Sequence, residues 1–249
     1  MRGARLAATT CLVGLTAAGC VGGPRHRVRH VYVSLCVPGS IQHVGTPTTS
    51  LAAVAIRPLH AFTQPGRRPF ARFGLLNVNG VPTVFSVLEE RVDRRCRPMW
   101  LHVELPLRPN GVTGWVQARA VETVPVHVRV VVDLSERRVW LYRNGRLVLS
   151  WRAAVGSPTT PTPTGRFYVN QRLVPTITDG PYGPGAVGIS AFSNVLTGWT
   201  QGGPVAIHGT NEPWSIGRAV SNGCIRVRND VLRRVFAIAV AGTPVVIRP

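Results

Sequence analysis

Short apolar runs separated by turn residues dominate the chain after about Leu51. Thr83-Val84-Phe85-Ser86-Val87-Leu88 and Trp100-Leu101-His102-Val103-Glu104-Leu105 have strand length and are flanked by Pro, Gly, Asn and Asp signals. His127 to Asp133 alternates enough to predict another strand. Val139-Trp140-Leu141-Tyr142 and Leu147-Val148-Leu149 flank Arg143-Asn144-Gly145-Arg146, whose Asn-Gly pair predicts a tight hairpin. Ser157 to Thr164 alternates Pro and Thr, too rigid for a helix, and predicts an ordered loop before the strand Phe167-Tyr168-Val169. Val205-Ala206-Ile207 reads as a buried strand. One helix is expected near the end: Asn229 or Asp230 can cap it, and Val231, Leu232, Val235, Phe236 and Ala239 share a face. Gly242 stops it, and Thr243 to Ile247 returns as a strand. The pattern predicts a mainly β chain, a β-sandwich with one or two short helices.

The N-terminus departs from this pattern. Arg2 and Arg5 precede a short apolar stretch, Leu6 to Ala18, too brief to span a membrane, so residues 1–19 read as an export signal. Thr16-Ala17-Ala18-Gly19-Cys20 resembles a lipobox in which Cys20 would carry lipid, although Ala17 stands where Leu is usual; a simple cleaved signal or an uncleaved anchor stays open. Each places the protein in the cell envelope, outside the cytoplasmic membrane, secreted or lipid-anchored. Residues 20–50, rich in Pro, Gly, Ser and Thr with a basic cluster at Arg25 to His30, are expected to be a tether, with Val31 to Val37 a possible strand inside it. Residues 51–124 then form a first β domain and 127–249 a second.

Charge and cysteines narrow the function classes. The formal net charge is +19, with Arg as the only basic residue besides His. Such a charge ordinarily points to nucleic acid. The arginines are scattered among strands and turns, however, and no nucleic-acid-binding motif appears, so an anionic cell envelope is the expected counter-charge. Of five cysteines, Cys11 lies in the signal and Cys20 is the lipidation candidate. Cys36 and Cys96 could pair in an oxidising exterior, which sequence alone leaves open. Without a Cys-x-x-Cys pair, no metal site is expected.

Candidate chemistry concentrates in Ile207-His208-Gly209-Thr210 and in Ser221-Asn222-Gly223-Cys224-Ile225-Arg226, whose Cys224 lies sixteen positions after His208. A thiol, an imidazole and a guanidinium in one stretch are the kit for acyl transfer through a thioester. A lone Cys is more often a small core hydrophobe. Here His208 ends a predicted strand, and Asn222-Gly223 permits a tight turn that leaves the amides of Gly223 and Cys224 for an oxyanion. Tyr182, in the Gly-rich stretch Asp179 to Gly188, and Trp214 are candidates for the pocket wall, burial being the commoner fate of an aromatic. That Gly-rich stretch reads either as a mobile cover or as a long turn.

These motifs, with Thr162-Pro163-Thr164-Gly165-Arg166-Phe167 upstream and Gly242-Thr243-Pro244-Val245 downstream, resemble the L,D-transpeptidases of bacterial peptidoglycan, whose catalytic domain is called YkuD-like. The resemblance runs from about residue 127 to the C-terminus; Asn222 departs from it, many members carrying a second His there. Leu107 to Val116, with its Pro109-Asn110-Gly111 turn and Gly114-Trp115, resembles the end of a small SH3-like β-barrel, either a wall-binding module or a plain spacer.

The resemblance implies Cys224 as nucleophile, His208 as general base, and the Gly209 carbonyl as the acceptor that orients the imidazole. Ser221, Asn222, Gly223 and Arg226 would shape the oxyanion and substrate site; Arg226 would hold the site and reach a substrate carboxylate, or else form a structural ion pair. Donor and acceptor peptidoglycan stem peptides would be the partners, carbapenem β-lactams covalent inhibitors, and no cofactor is implied. The implied reaction releases D-alanine from a tetrapeptide donor and forms 3-3 cross-links. An L,D-carboxypeptidase using the same site, and a catalytically idle wall-binding lipoprotein, are the alternatives.

Overall fold

The computed structural model describes residues 36–249, and Cys36–Pro249 form one compact unit. The expected signal 1–19, Cys20, the Arg25 to His30 cluster and most of the possible strand Val31 to Val37 lie outside the described residues.

A first, antiparallel sheet follows the order Pro69–Phe73, Leu59–Phe62, Thr113–Gln117, Pro98–Glu104, Val84–Val92, Ser50–Ala55, Val121–Val126, with Ile41–His43 added beside Val84–Val92. Alternation drives it: Leu101 and Val103 are fully buried, while Trp100 before them and His102 between them are not. The expected tether is shorter than residues 20–50. Cys36 is disulfide-bonded to Cys96, and Ile41–His43 pairs with Glu89–Arg91, so the chain from Cys36 onward belongs to the folded body. Its glycines serve turns, Gly39 at φ +77° and Gly45 at φ +89°.

The second sheet has the order Arg146–Arg152, Arg138–Arg143, Val128–Asp133, Pro244–Arg248, Gly165–Leu173, Ala186–Phe192, Pro204–His208, Ile225–Arg226. The Asn144-Gly145 hairpin is present, both residues at positive φ, 50° and 75°. Two of its pairings are parallel, Pro244–Arg248 with Val128–Asp133 and Pro204–His208 with Ile225–Arg226. A parallel neighbour needs a crossover. The helix Asn229–Ile238 lies in the connection between Ile225–Arg226 and Pro244–Arg248 and buries Leu232 and Val235 in the core shared with Ile207, Ile225 and Val245.

Polar turn residues of the first sheet tie into the second. The Asn110 side-chain amide donates to the Phe192 carbonyl and accepts from the Phe192 amide, both at 2.8 Å, and Arg108 donates to the Ser193 carbonyl at 2.6 Å. Glu104, buried where the sheets meet, accepts from Ser190 Oγ at 2.6 Å, and burial pushes its carboxyl up to about 7. A cavity of about 960 Å³ lies between the sheets, with Glu104, Arg166 and Thr113 on its wall; His208 and Cys224 do not line it.

Candidate active site

The site is built at the far edge of the second sheet by one parallel pairing. Ile207 is in register with Ile225 and His208 with Arg226. Ile207 and Ile225 are both fully buried, and because side chains alternate across a strand, His208 and Arg226 share the opposite face, with Cys224 immediately before the second strand. The fifteen residues between His208 and Cys224 therefore connect adjacent strands at the sheet edge. The Arg226 backbone is fixed on its other side by a reciprocal pair of hydrogen bonds with Ala154, each 2.9 Å.

His208 is 4% exposed, and its Nδ1 donates to the Gly209 carbonyl at 2.5 Å. This bond leaves Nε2 as the free lone pair. Burial lowers the imidazole to about 4; the Gly209 carbonyl works against that shift, and the Arg226 charge adds to it. Cys224 is half-buried, and the same desolvation pushes its thiol up, although hydrogen bonding from the Ala206 backbone and the Arg226 charge pull it down. Burial thus favours the neutral form of both groups.

Ser221 and Gly223 shape the turn that presents Cys224. Ser221 Oγ donates to the Cys224 carbonyl at 2.5 Å and accepts from the Gly223 amide at 3.2 Å, and Gly223 sits at φ +104°. The Gly223 amide is therefore committed to Ser221, which leaves the Cys224 amide as the remaining donor of the expected pair. The Pro-Thr loop braces the turn from behind: the Ser157 amide and Thr160 Oγ1 both donate to the Ser221 carbonyl, at 2.9 and 3.0 Å. Asn222 is exposed.

Arg226 is engaged rather than free, since its guanidinium donates to the Glu212 carboxylate. Glu212 was not among the expected residues. It closes the turn after His208, its own amide donating to Thr210 Oγ1 at 2.9 Å and its carbonyl accepting from Ser215 Oγ at 2.6 Å. Of the two expected wall aromatics, Tyr182 reaches the site: its ring lies 4.9 Å from the His208 ring, tilted by 59°. Trp214 stands exposed on the turn Pro213–Ser215 with the Arg218 guanidinium over its ring. Asn229, expected as a helix cap, does not cap; its side-chain oxygen accepts from the Thr210 amide at 2.8 Å. No cluster of metal-binding side chains is found among the described residues.

A thiol and an imidazole thus stand on neighbouring segments at the edge of a mainly β fold, and comparison with known proteins assigns the family. The family model of the L,D-transpeptidase catalytic domain matches residues 127–247. The chain is 40% identical over 129 residues to YkuD of Bacillus licheniformis, covering 51% of this chain and 68% of that protein. Against YkuD of Bacillus subtilis it is 37% identical over 126 residues, covering 50% and 67%. Among solved structures, an Enterococcus faecium L,D-transpeptidase aligns with a TM-score of 0.39 at 30% identity; 49% of each chain is covered, so this chain spans about half its length. The chain belongs to the L,D-transpeptidase family.

Proposed function

We propose that the protein is an exported L,D-transpeptidase that forms 3-3 peptidoglycan cross-links through a thioester on Cys224. The observation that carries this reading is the parallel pairing of Pro204–His208 with Ile225–Arg226, which brings the strand ending in His208 beside the segment that follows Cys224, with the imidazole Nδ1 engaged and Nε2 left as acceptor. As Cys224 Sγ attacks the carbonyl of the third stem residue, its proton passes to His208 Nε2, and the Cys224 amide faces the developing oxyanion. The imidazolium then protonates the departing D-alanine amine. The thioester remains until an acceptor amine attacks it, giving its proton to the same Nε2 and restoring the thiol. The Gly209 carbonyl holds the imidazole in the required tautomer, and Tyr182 walls the imidazole on one side. The Cys36–Cys96 disulfide supports an oxidising location outside the cytoplasmic membrane.

The test is incubation of the purified chain with a tetrapeptide stem monomer and mass analysis of the products. Cross-linked dimers are expected from the native chain and none from Cys224→Ala. Tripeptide without dimer would assign the L,D-carboxypeptidase reaction to the same residues. A carbapenem adduct on Cys224 is expected in parallel; a native chain that gains no mass and makes neither product would leave only a wall-binding role.

A further inference from the structure

Gly209 and Thr210 share one peptide group, and both of its polar ends are in use at the site. Its carbonyl accepts from His208 Nδ1 at 2.5 Å, and its N–H, carried by Thr210, donates to Asn229 Oδ1 at 2.8 Å. A peptide group is planar and stiff, so fixing one end fixes the direction of the other. We propose that Asn229 is a positioning residue for His208, acting through the Gly209–Thr210 peptide to hold the imidazole with Nδ1 protonated and Nε2 free.

Three observations support the assignment. The first is mechanical. Asn229 opens the helix Asn229–Ile238, which is anchored in the core by Leu232 and Val235, so its side chain projects from a rigid element rather than a loop. The second is packing. A Cβ on Gly209 or on Gly183 would each come 2.3 Å from Asn229 Oδ1, and Gly183 itself sits at φ +57°. Only hydrogen atoms fit there, so the amide oxygen is caged between the turn after His208 and the turn that carries Tyr182. The third is electrostatic. An amide whose N–H is already bonded carries a more polarised carbonyl, and so accepts more strongly from the imidazole. The helix does not compete for this side chain, because its N-terminal boundary residue is Arg228 and no side chain caps it.

In a Cys-His site a side-chain amide or carboxylate commonly orients the imidazole directly. Here the amide of Asn229 performs that service one peptide removed. Sequence distance conceals the connection, since Asn229 lies nineteen residues beyond Thr210.

The resting full-length protein provides a readout independent of its substrate. Nitrogen-15 spectra of the imidazoles are expected to show His208 with Nδ1 protonated and Nε2 bare in the native chain, and a mixture of tautomers in Asn229→Ala. Acylation of Cys224 by a carbapenem is expected to slow on the order of 10- to 100-fold in Asn229→Ala, the range for loss of a partner that orients a metal-bound imidazole. Asn229→Asp keeps an acceptor oxygen, so it is expected to keep the native tautomer and recover most of the rate. Its new negative charge should also raise the pH at which acylation is lost on acidification, from about 4 upward. A native tautomer and native rate in Asn229→Ala overturns the proposal. So does Asn229→Asp with an unmoved acidic limb, and that result stands even if the alanine variant fails to fold. The rate measurements rest on the function proposed above, whereas the tautomer does not. A native chain that resists acylation but shows the expected tautomer shift would overturn the reaction and keep the role of Asn229.

Discussion

At the scale of single residues, the chemistry is set by what burial does to two neutral groups. The His208 imidazole is held near 4, well under its usual 6.5, because the charged form loses its water. The imidazole is therefore unprotonated across the whole neutral range, and on the proposed mechanism activity is lost only as pH falls through about 4. A pH profile of Cys224 acylation should place its acidic limb there; a limb near 6.5 would mean that His208 is solvated in the working enzyme. Burial likewise lifts the thiol, so no thiolate plateau is expected at neutral pH. Alkylation of Cys224 by iodoacetamide, followed by mass spectrometry, should accelerate only above the ordinary thiol range, roughly pH 8.5. A fast, pH-independent reaction at pH 6 would instead reveal a preformed thiolate–imidazolium pair.

At the scale of elements, the turn bearing Tyr182 and the turn after His208 touch through glycines. Gly183→Ala would drive its methyl into Asn229 Oδ1 and within 2.9 Å of both Gly209 Cα and the Thr210 amide nitrogen, and most of the obstruction is backbone. A loss of about 1–3 kcal/mol in unfolding free energy is expected, together with slower acylation of Cys224. Gly180→Ala on the same turn is the control: its methyl meets Ile177 Cγ2 at 3.4 Å, an ordinary contact. Urea unfolding of the two variants side by side distinguishes them; equal stabilities would show that the turn yields freely and does not press on the site.

At the scale of the whole molecule, Glu104 links the sheets. Its carboxyl accepts from Ser190 Oγ, which in turn accepts from the Tyr168 amide, while the Tyr168 hydroxyl donates back to the Val84 carbonyl of the first sheet. The folded state holds this carboxyl neutral up to about 7, against 4.5 when solvated. Its contribution is thus fully present below pH 4.5 and is lost as pH rises through about 7, since the unfolded chain ionises more readily. The difference corresponds to ~3 kcal/mol. Glu104→Gln removes that dependence, so the variant should gain stability on the native chain between pH 5 and pH 9, by ~2–3 kcal/mol in denaturant unfolding. Parallel curves for the two proteins would show that Glu104 is solvated when the sheets are joined.

Much of this molecule was legible in one dimension. Alternation located the strands, Asn144-Gly145 specified its hairpin through backbone conformations those two residues adopt cheaply, and the face shared by Leu232 and Val235 located the helix. His208 and Cys224 stood out because only a few residue types supply a thiol or an imidazole, whereas the Gly209 carbonyl, which any residue could supply, was implied only by the family resemblance. The partners of those atoms were not readable. That Arg226 spends itself on Glu212 and that Asn229 bonds Thr210 instead of capping its helix depend on how separate segments pack, and that the Gly223 amide turns to Ser221 depends on the conformation of one turn. Nor does the sequence state protonation: neutral His208 and Cys224 follow from how much water the packed sheet excludes. Residue type thus determined which chemistry is available, whereas tertiary packing decided its geometry and charge, because desolvation and hydrogen-bond direction arise only when distant segments meet.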